Sequence, residues 1–210
     1  MRTLYNRIAG QSLERLAALS DGLFAIAMTL LILDIRIPAA AGIHGEGALW
    51  HAVAALAPRF VMYLMSFLTL GIFWAGQQTQ FNHFARADRD LAWIHLAFLA
   101  AVATMPFSTQ LLAEFITFRV ALLIYWANIL VLGATLYFSL VYACRAGLIK
   151  EGVSPDVAHA LERRILIAQG LYALGAALCV VGTYWSIGFI VLVQLNYAVA
   201  PRLPFGRRAG

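Results

Sequence analysis

The stretch Arg15-Leu-Ala-Ala-Leu-Ser-Asp-Gly-Leu-Phe-Ala-Ile-Ala-Met-Thr-Leu-Leu-Ile-Leu-Asp34 decides the fold. Its apolar run approaches the roughly 20 residues that a helix needs to cross a bilayer, yet it holds Asp21 inside and Asp34 at its far end. A carboxylate in hydrocarbon costs roughly 2.5–3.5 kcal/mol on insertion scales, so an acid at that depth points to function. Ile26, Leu30 and Leu33 recur at i, i+4 and i+7, which stacks three aliphatic side chains along one helix face. A helix lining a pore presents such a row, and the chain reads as a membrane channel subunit.

Composition extends that reading to the whole chain. It is 62% hydrophobic and 12% charged, with a mean hydropathy of +0.80, whereas ordinary globular domains are about 25% charged. Six segments approach spanning length, at about 17–37, 55–76, 90–112, 118–143, 163–183 and 186–200. The expected fold is therefore all-α, a single polytopic domain over 1–210 with six transmembrane helices. The fifth and sixth segments are joined by little more than Tyr184-Trp185-Ser186. The first segment is too long for a signal-peptide core and lacks a small-residue cleavage site, so it reads as a retained span.

Basic residues orient the spans. With six spans both termini share a side, and that side collects Arg2, Arg7, Arg15, Arg86, Arg89, Arg145, Lys150, Arg163, Arg164, Arg202, Arg207 and Arg208. These are 12 of the 15 Lys and Arg residues; Arg36, Arg59 and Arg119 fall at the opposite ends. The positive-inside rule then expects both termini in the cytoplasm and the chain in the cell membrane, among lipids. The basic patches are short and lack interleaved aromatics, which speaks against a nucleic-acid partner.

Little else carries chemistry. Cys144 and Cys179 make no metal or redox spacing, and the histidines at 44, 51, 83, 95 and 159 form no ligand cluster. No Gly-rich phosphate loop is present, and no catalytic arrangement can be drawn from the sparse polar groups. No metal, cofactor or enzymatic activity is expected. The one substantial polar stretch runs over 145–164, where Pro155 after Ser154 reads as the first turn of an amphipathic segment.

Arg15-x₃-Leu19-Ser20-Asp21 resembles the Arg-x₃-Phe-Ser-Asp signature of the transmembrane protein 175 family of potassium channels. Thr29-Leu-Leu-Ile-Leu-Asp34-Ile resembles the outer half of that family's first helix. Tyr63-x₂-Ser66-Phe67 through Phe73-Trp74 resembles its second helix, and Met105-Pro106-Phe107-Ser108-Thr109 the end of its third. The resemblance covers about the first 115 residues. It implies six-helix subunits, one unit per chain in prokaryotic members, forming a homotetramer around the first helix with K⁺ as the permeant ion. Leu19 departs from the signature's Phe, and Gln77-Gln78 stand where many relatives carry histidine.

At about 100° per residue, Leu30 and Leu33 lie within about 40° of Ile26, and Asp21 lies about 140° away. If Ile26, Leu30 and Leu33 form a pore constriction, Ser20 and Asp21 face neighbouring helices, where buried polar groups act as glue. Arg15 lies about 120° from Asp21, which disfavours an intrahelical pair. Trp74, Gln77 and Gln78 are the expected partners, and Gly22 would admit a neighbouring backbone. Two other readings stay open: Ser20-Asp21 as the cap of a helix starting at Gly22, and the aliphatic stripe as lipid-facing or core packing. Thr29 sits at the rim of the pore face, as an ion contact or a packing group. Asp34 either forms an acidic ring at the outer mouth or pairs with Arg36 or Arg119. Without a carbonyl-ring filter, selection falls to a narrow ring of side chains. The expected function is a potassium-selective leak channel. The alternatives are a proton or weakly selective cation channel, and a transporter or membrane scaffold.

Overall fold

The computed structural model describes residues 12–199 apart from 34, 37, 41 and 42. Among these residues it forms seven α-helices and no strand. They are α1 (Leu13–Ile32), α2 (Glu46–Ala54), α3 (Ala57–His83), α4 (Arg89–Glu114), α5 (Arg119–Ala146), α6 (Pro155–Ala177) and α7 (Thr183–Val199), with a 3₁₀ turn at Leu178–Val180 after α6. Five helices, α1, α3, α4, α5 and α6 with its 3₁₀ extension, are long and apolar enough to cross a membrane; α7 is apolar but has 17 residues.

Several boundaries differ from expectation, each for a local reason. Ser12 caps α1, its hydroxyl accepting from Arg15 N at 3.3 Å, so the helix starts earlier than residue 17. Ser20 and Asp21 lie well inside it, which removes the reading of them as a cap for a helix starting at Gly22. Gly22 meets no neighbour, since a Cβ built there would have nothing within 4 Å. Helix α2 interrupts the first long connection, starts after Gly45 at φ 91° and buries none of its residues. Ser154 caps α6 with Pro155 in the first turn, and the amphipathic stretch continues into the fifth apolar segment without a break. The seam between α6 and α7 falls at Val181-Gly182, where both amides donate to Leu178 O at 3.0 and 3.1 Å. Tyr184, Trp185 and Ser186 consequently lie inside α7 rather than in the joint.

Helices α4 and α5 form the most extensive contact; α1 packs on α3 and α4, α6 on α5 and α7, and α7 on α3. The central core gathers Leu70, Val102, Met105, Leu122, Tyr125, Ile129 and Leu132. Within it the Tyr125 hydroxyl meets Ser66 Oγ at 3.2 Å and Thr69 Oγ1 at 3.1 Å. Thr109 donates to Ser66 at 2.7 Å, and Gln194 donates to Thr69 at 2.6 Å. Four helices are thus tied by hydroxyls and an amide, which tightens an apolar bundle where no hydrophobic force favours helix over lipid contact. Pro106 lies within α4, and Ser108 and Thr109 both turn back to bond Met105 O, at 3.0 and 2.8 Å. A smaller core at one end holds Leu16, Phe81, Phe84, Leu91, Leu140 and Leu148. There the turns after α3 and α5 pair, Ala85 N donating to Leu148 O at 2.8 Å and Lys150 N to His83 O at 2.9 Å. At the other end Arg59 bonds Glu114 at 2.6 Å, and Arg119 donates to Val180 O at 3.1 Å.

Helices α6 and α7 approach closely at Gly175, where a Cβ would come within 2.9 Å of Ile190 Cγ1 and 3.1 Å of Phe189 Cδ1. Gly175→Val should therefore separate the pair and destabilise the fold by about 1–3 kcal/mol, the usual cost of overpacking. Thermal unfolding in detergent should show a clear drop in Tm. Substitution at Gly188, with nothing within 4 Å of its added Cβ, should leave Tm nearly unchanged.

Candidate functional site

Helix α1 divides into two faces. Leu16, Ser20, Phe24, Ala27 and Leu31 are buried against the bundle, at spacings of three and four residues that make one continuous stripe. The opposite face holds Ile26, 59% exposed, Leu30, 45%, and Leu33, 71%, whereas Leu31 is 2% exposed. Leu19 belongs to the exposed set as well. Thr29 is exposed beside Ile26, and its hydroxyl donates to Ile26 O at 2.8 Å. Asp34 lies outside the described residues. Arg15 is exposed and, among the described residues, makes no ion pair with Asp21 or any other carboxylate.

The rotation of α1 is held by α3. Trp74, Gln77 and Gln78, spaced i, i+3 and i+4, share one side of that helix. Trp74 Nε1 donates to Asp21 Oδ1 at 2.7 Å, and Gln78 Nε2 donates to the same oxygen at 2.8 Å. Gln77 Nε2 donates to Ser20 Oγ at 2.9 Å, and the Ser20 hydroxyl in turn donates to Leu16 O at 3.0 Å. All three α3 residues thus meet the Ser20-Asp21 pair. Bonds to a charged acceptor are shorter and about twice as strong as neutral ones, and among the described residues neutral amide and indole donors serve the carboxylate without a counter-cation. Ser20 and Gln77 are fully buried, while Asp21 and Trp74 reach the surface of the single subunit.

The network runs deeper than the sequence reading reached. Gln77 Nε2 lies 3.3 Å from His95 Nδ1, and His95 Nε2 lies 2.9 Å from Ser139 Oγ. His95 is fully buried, with Phe81 and Phe98 rings against it. One buried chain of polar atoms therefore joins α1, α3, α4 and α5. The missed signal is on α3: Ser66, Thr69, Gln77 and Gln80 recur at helical spacing on one face and all are buried. His95 carries no such pattern on its own helix. Among the described residues no three His, Cys, Asp or Glu converge as metal ligands.

The family described as endosomal/lysosomal potassium channel TMEM175 matches residues 15–106, the segment that holds α1, the exposed aliphatic face and the Ser20-Asp21 anchor. The fold matches the crystal structure of a lysosomal potassium-selective channel TMEM175 homolog from Chamaesiphon minutus, with a TM-score of 0.78 and 26% identity over 90% of this chain and 97% of that one. The chain resembles the TMEM175 family over residues 15–106 and in its fold. A potassium channel of Streptomyces collinus is 47% identical over 102 residues, so that the match spans 49% of this chain and 48% of that relative. The potassium channel of Chamaesiphon minutus is 28% identical over 88% of this chain and 93% of its own length. Human endosomal/lysosomal proton channel TMEM175 is 37% identical over 109 residues, covering 50% of this chain and 22% of that protein.

The anchor has a measurable signature. Ser20→Ala leaves a buried Gln77 donor short of its acceptor, a loss of about 1–3 kcal/mol. Gln77→Leu alone should cost a similar amount, and the double variant clearly less than the sum, because the two side chains share one bond. Denaturation in detergent of the wild type and three variants measures the coupling; strict additivity would mean that the bond does not hold α1.

Proposed function

We propose that this chain is the subunit of a potassium-selective, leak-type cation channel, with six membrane-spanning helices per subunit and a homotetramer enclosing the pore. The observation that carries the reading is the uncovered aliphatic face of α1, set opposite a buried face that polar bonds lock in place. A face of that kind in one subunit encloses nothing, but cyclic symmetry brings four copies around an axis. The surface position of Asp21 supports assembly too. A carboxylate exposed at membrane depth is costly against lipid and is better placed against a neighbouring subunit.

Ile26, Leu30 and Leu33 would then stack as rings, and a ring of large aliphatic side chains can close a pore by dewetting without a charged plug. Thr29 would offer lone pairs at the rim, and Asp34 would draw cations to the outer mouth. The 12 to 3 division of Lys and Arg supports cytoplasmic termini and residence in the cell membrane. A channel, rather than an enzyme, is also what the relatives are named. The name of the human relative, a proton channel, supports a second reading in which protons or mixed cations pass.

Ile26→Asn should wet the narrowest ring, so that K⁺ flux into liposomes rises while the preference for K⁺ over Na⁺ falls. Leu166→Ala, at an exposed position on α6, should change neither. Equal small effects at both positions would count against a pore along this face, and flux that follows a proton gradient while ignoring K⁺ would favour the second reading.

Asp21→Asn should weaken tetramer formation or opening more than it alters the K⁺/Na⁺ ratio, because Asp21 is directed at α3 and not along the aliphatic face. Mass measurement in mild detergent alongside the flux ratio separates these effects. An intact tetramer with a strongly changed ratio would reverse the assignment.

A further inference from the structure

Helix α6 packs on α5 and α7 but stands away from α3, and a cavity of about 220 Å³ lies in the gap. Its apolar walls include Ile72, Phe73, Leu136 and Ile165, and Arg164 stands in its lining as the one charged residue among them. Arg164 immediately precedes an uncharged run that continues through α7, so it sits where the apolar part of α6 meets water. Its guanidinium lies 5.7 Å over the Tyr197 ring, a cation–π contact that holds it toward the cavity. Gln80, Gln169 and Tyr172 also line the space, and Gln80 Oε1 and Gln169 Oε1 are buried without a hydrogen-bond partner. Gln80 and Tyr172 are each 1% exposed. Unpaired buried polar atoms are costly, and two beside one cavity mark a site that is completed by something bound.

The chemistry selects the occupant. An anionic group is favoured by Arg164, since no carboxylate stands among the described residues that line the cavity. The two free carbonyl oxygens require a hydrogen-bond donor, and the walls favour methylenes. We propose that the cavity binds an anionic phospholipid with a hydroxylated headgroup, of the phosphatidylglycerol type. The phosphate lies on Arg164, a headgroup hydroxyl donates to Gln80 or Gln169, and the first acyl methylenes run along Ile72 and Ile165. Gln169 lies over Gly133 of α5, with its amide donating to Ile129 O at 3.4 Å. Basic pockets between transmembrane helices recognise anionic headgroups in this way. A lipid wedged there would brace α3, the helix that holds α1, against α6.

Native mass spectrometry of the detergent-purified protein, titrated with phosphatidylglycerol or phosphatidylcholine, tests this directly. Phosphatidylglycerol should bind more tightly than phosphatidylcholine. Arg164→Gln should weaken it about five-fold, the worth of one interfacial charge, and Ala168→Phe, which fills the cavity, should abolish the preference. Arg163→Gln, one residue outside the lining, should leave it unchanged. Equal binding of the two lipids by the wild type would overturn the proposal, as would equal losses from Arg163→Gln and Arg164→Gln. Complete displacement by millimolar glycerol 3-phosphate would assign the site to a soluble phosphate and overturn the lipid. Because Arg164 is exposed, its variant should fold, so the arginine comparison decides even if Ala168→Phe unfolds.

Discussion

A carboxylate and a hydroxyl set side by side within an apolar helix must find donors, and that requirement fixes how α1 is rotated. Trp74 and Gln78 converge on one oxygen of Asp21, and Gln77 takes Ser20. Water cannot substitute for these partners inside a bilayer, where each unsatisfied group costs several kcal/mol. Turning α1 by a quarter would break all three bonds at once. The same rotation that satisfies Ser20 and Asp21 buries Phe24, Ala27 and Leu31 and leaves Ile26, Leu30 and Leu33 uncovered. The polar anchor and the aliphatic face are thus two consequences of one orientation.

The remaining helices hold that pair in place. Helix α3 is pinned in turn by Gln80 to Leu136 O at 3.0 Å, by the Ser66, Thr69 and Tyr125 cluster, and by Gln77 next to His95. These contacts sit at different heights along α3, so it cannot rotate or slide without breaking several of them. The ends are closed separately, by the Arg59–Glu114 pair on one side and by the paired turns after α3 and α5 on the other. A rigid frame of this kind suits a subunit whose first helix must present side chains at a repeatable radius from an axis.

Much of this was legible in the residues. The apolar runs located the long helices to within a few residues at most ends, and the wheel of α1 separated Ile26 from Leu31 because Asp21 broke the symmetry of an otherwise uniform segment. Where apolar residues fill every face, that cue is missing. The seam between α6 and α7 was misjudged for this reason, since the stretch through Val181, Gly182 and Tyr184 offers a single glycine and no charge. Helix α2 escaped because nine residues with no buried face make no periodic pattern. The Tyr125 cluster draws Ser66 and Thr69 from α3 but only one polar residue each from α4, α5 and α7, so the assembled bundle is needed to join them. His95 looked like one of five scattered histidines until folding brought Gln77 and Ser139 to its two nitrogens.

The central claim is that the exposed face of α1 borders the cation path. Single cysteines at Ile26, Leu30 and, for comparison, Leu166 can be introduced after replacing the exposed Cys144 by serine, and recorded in planar bilayers. A charged thiol reagent added to the bath should block K⁺ current through the Ile26→Cys and Leu30→Cys proteins and spare Leu166→Cys. Current that persists unchanged at both α1 positions, with labelling at those thiols verified by mass, would contradict the account.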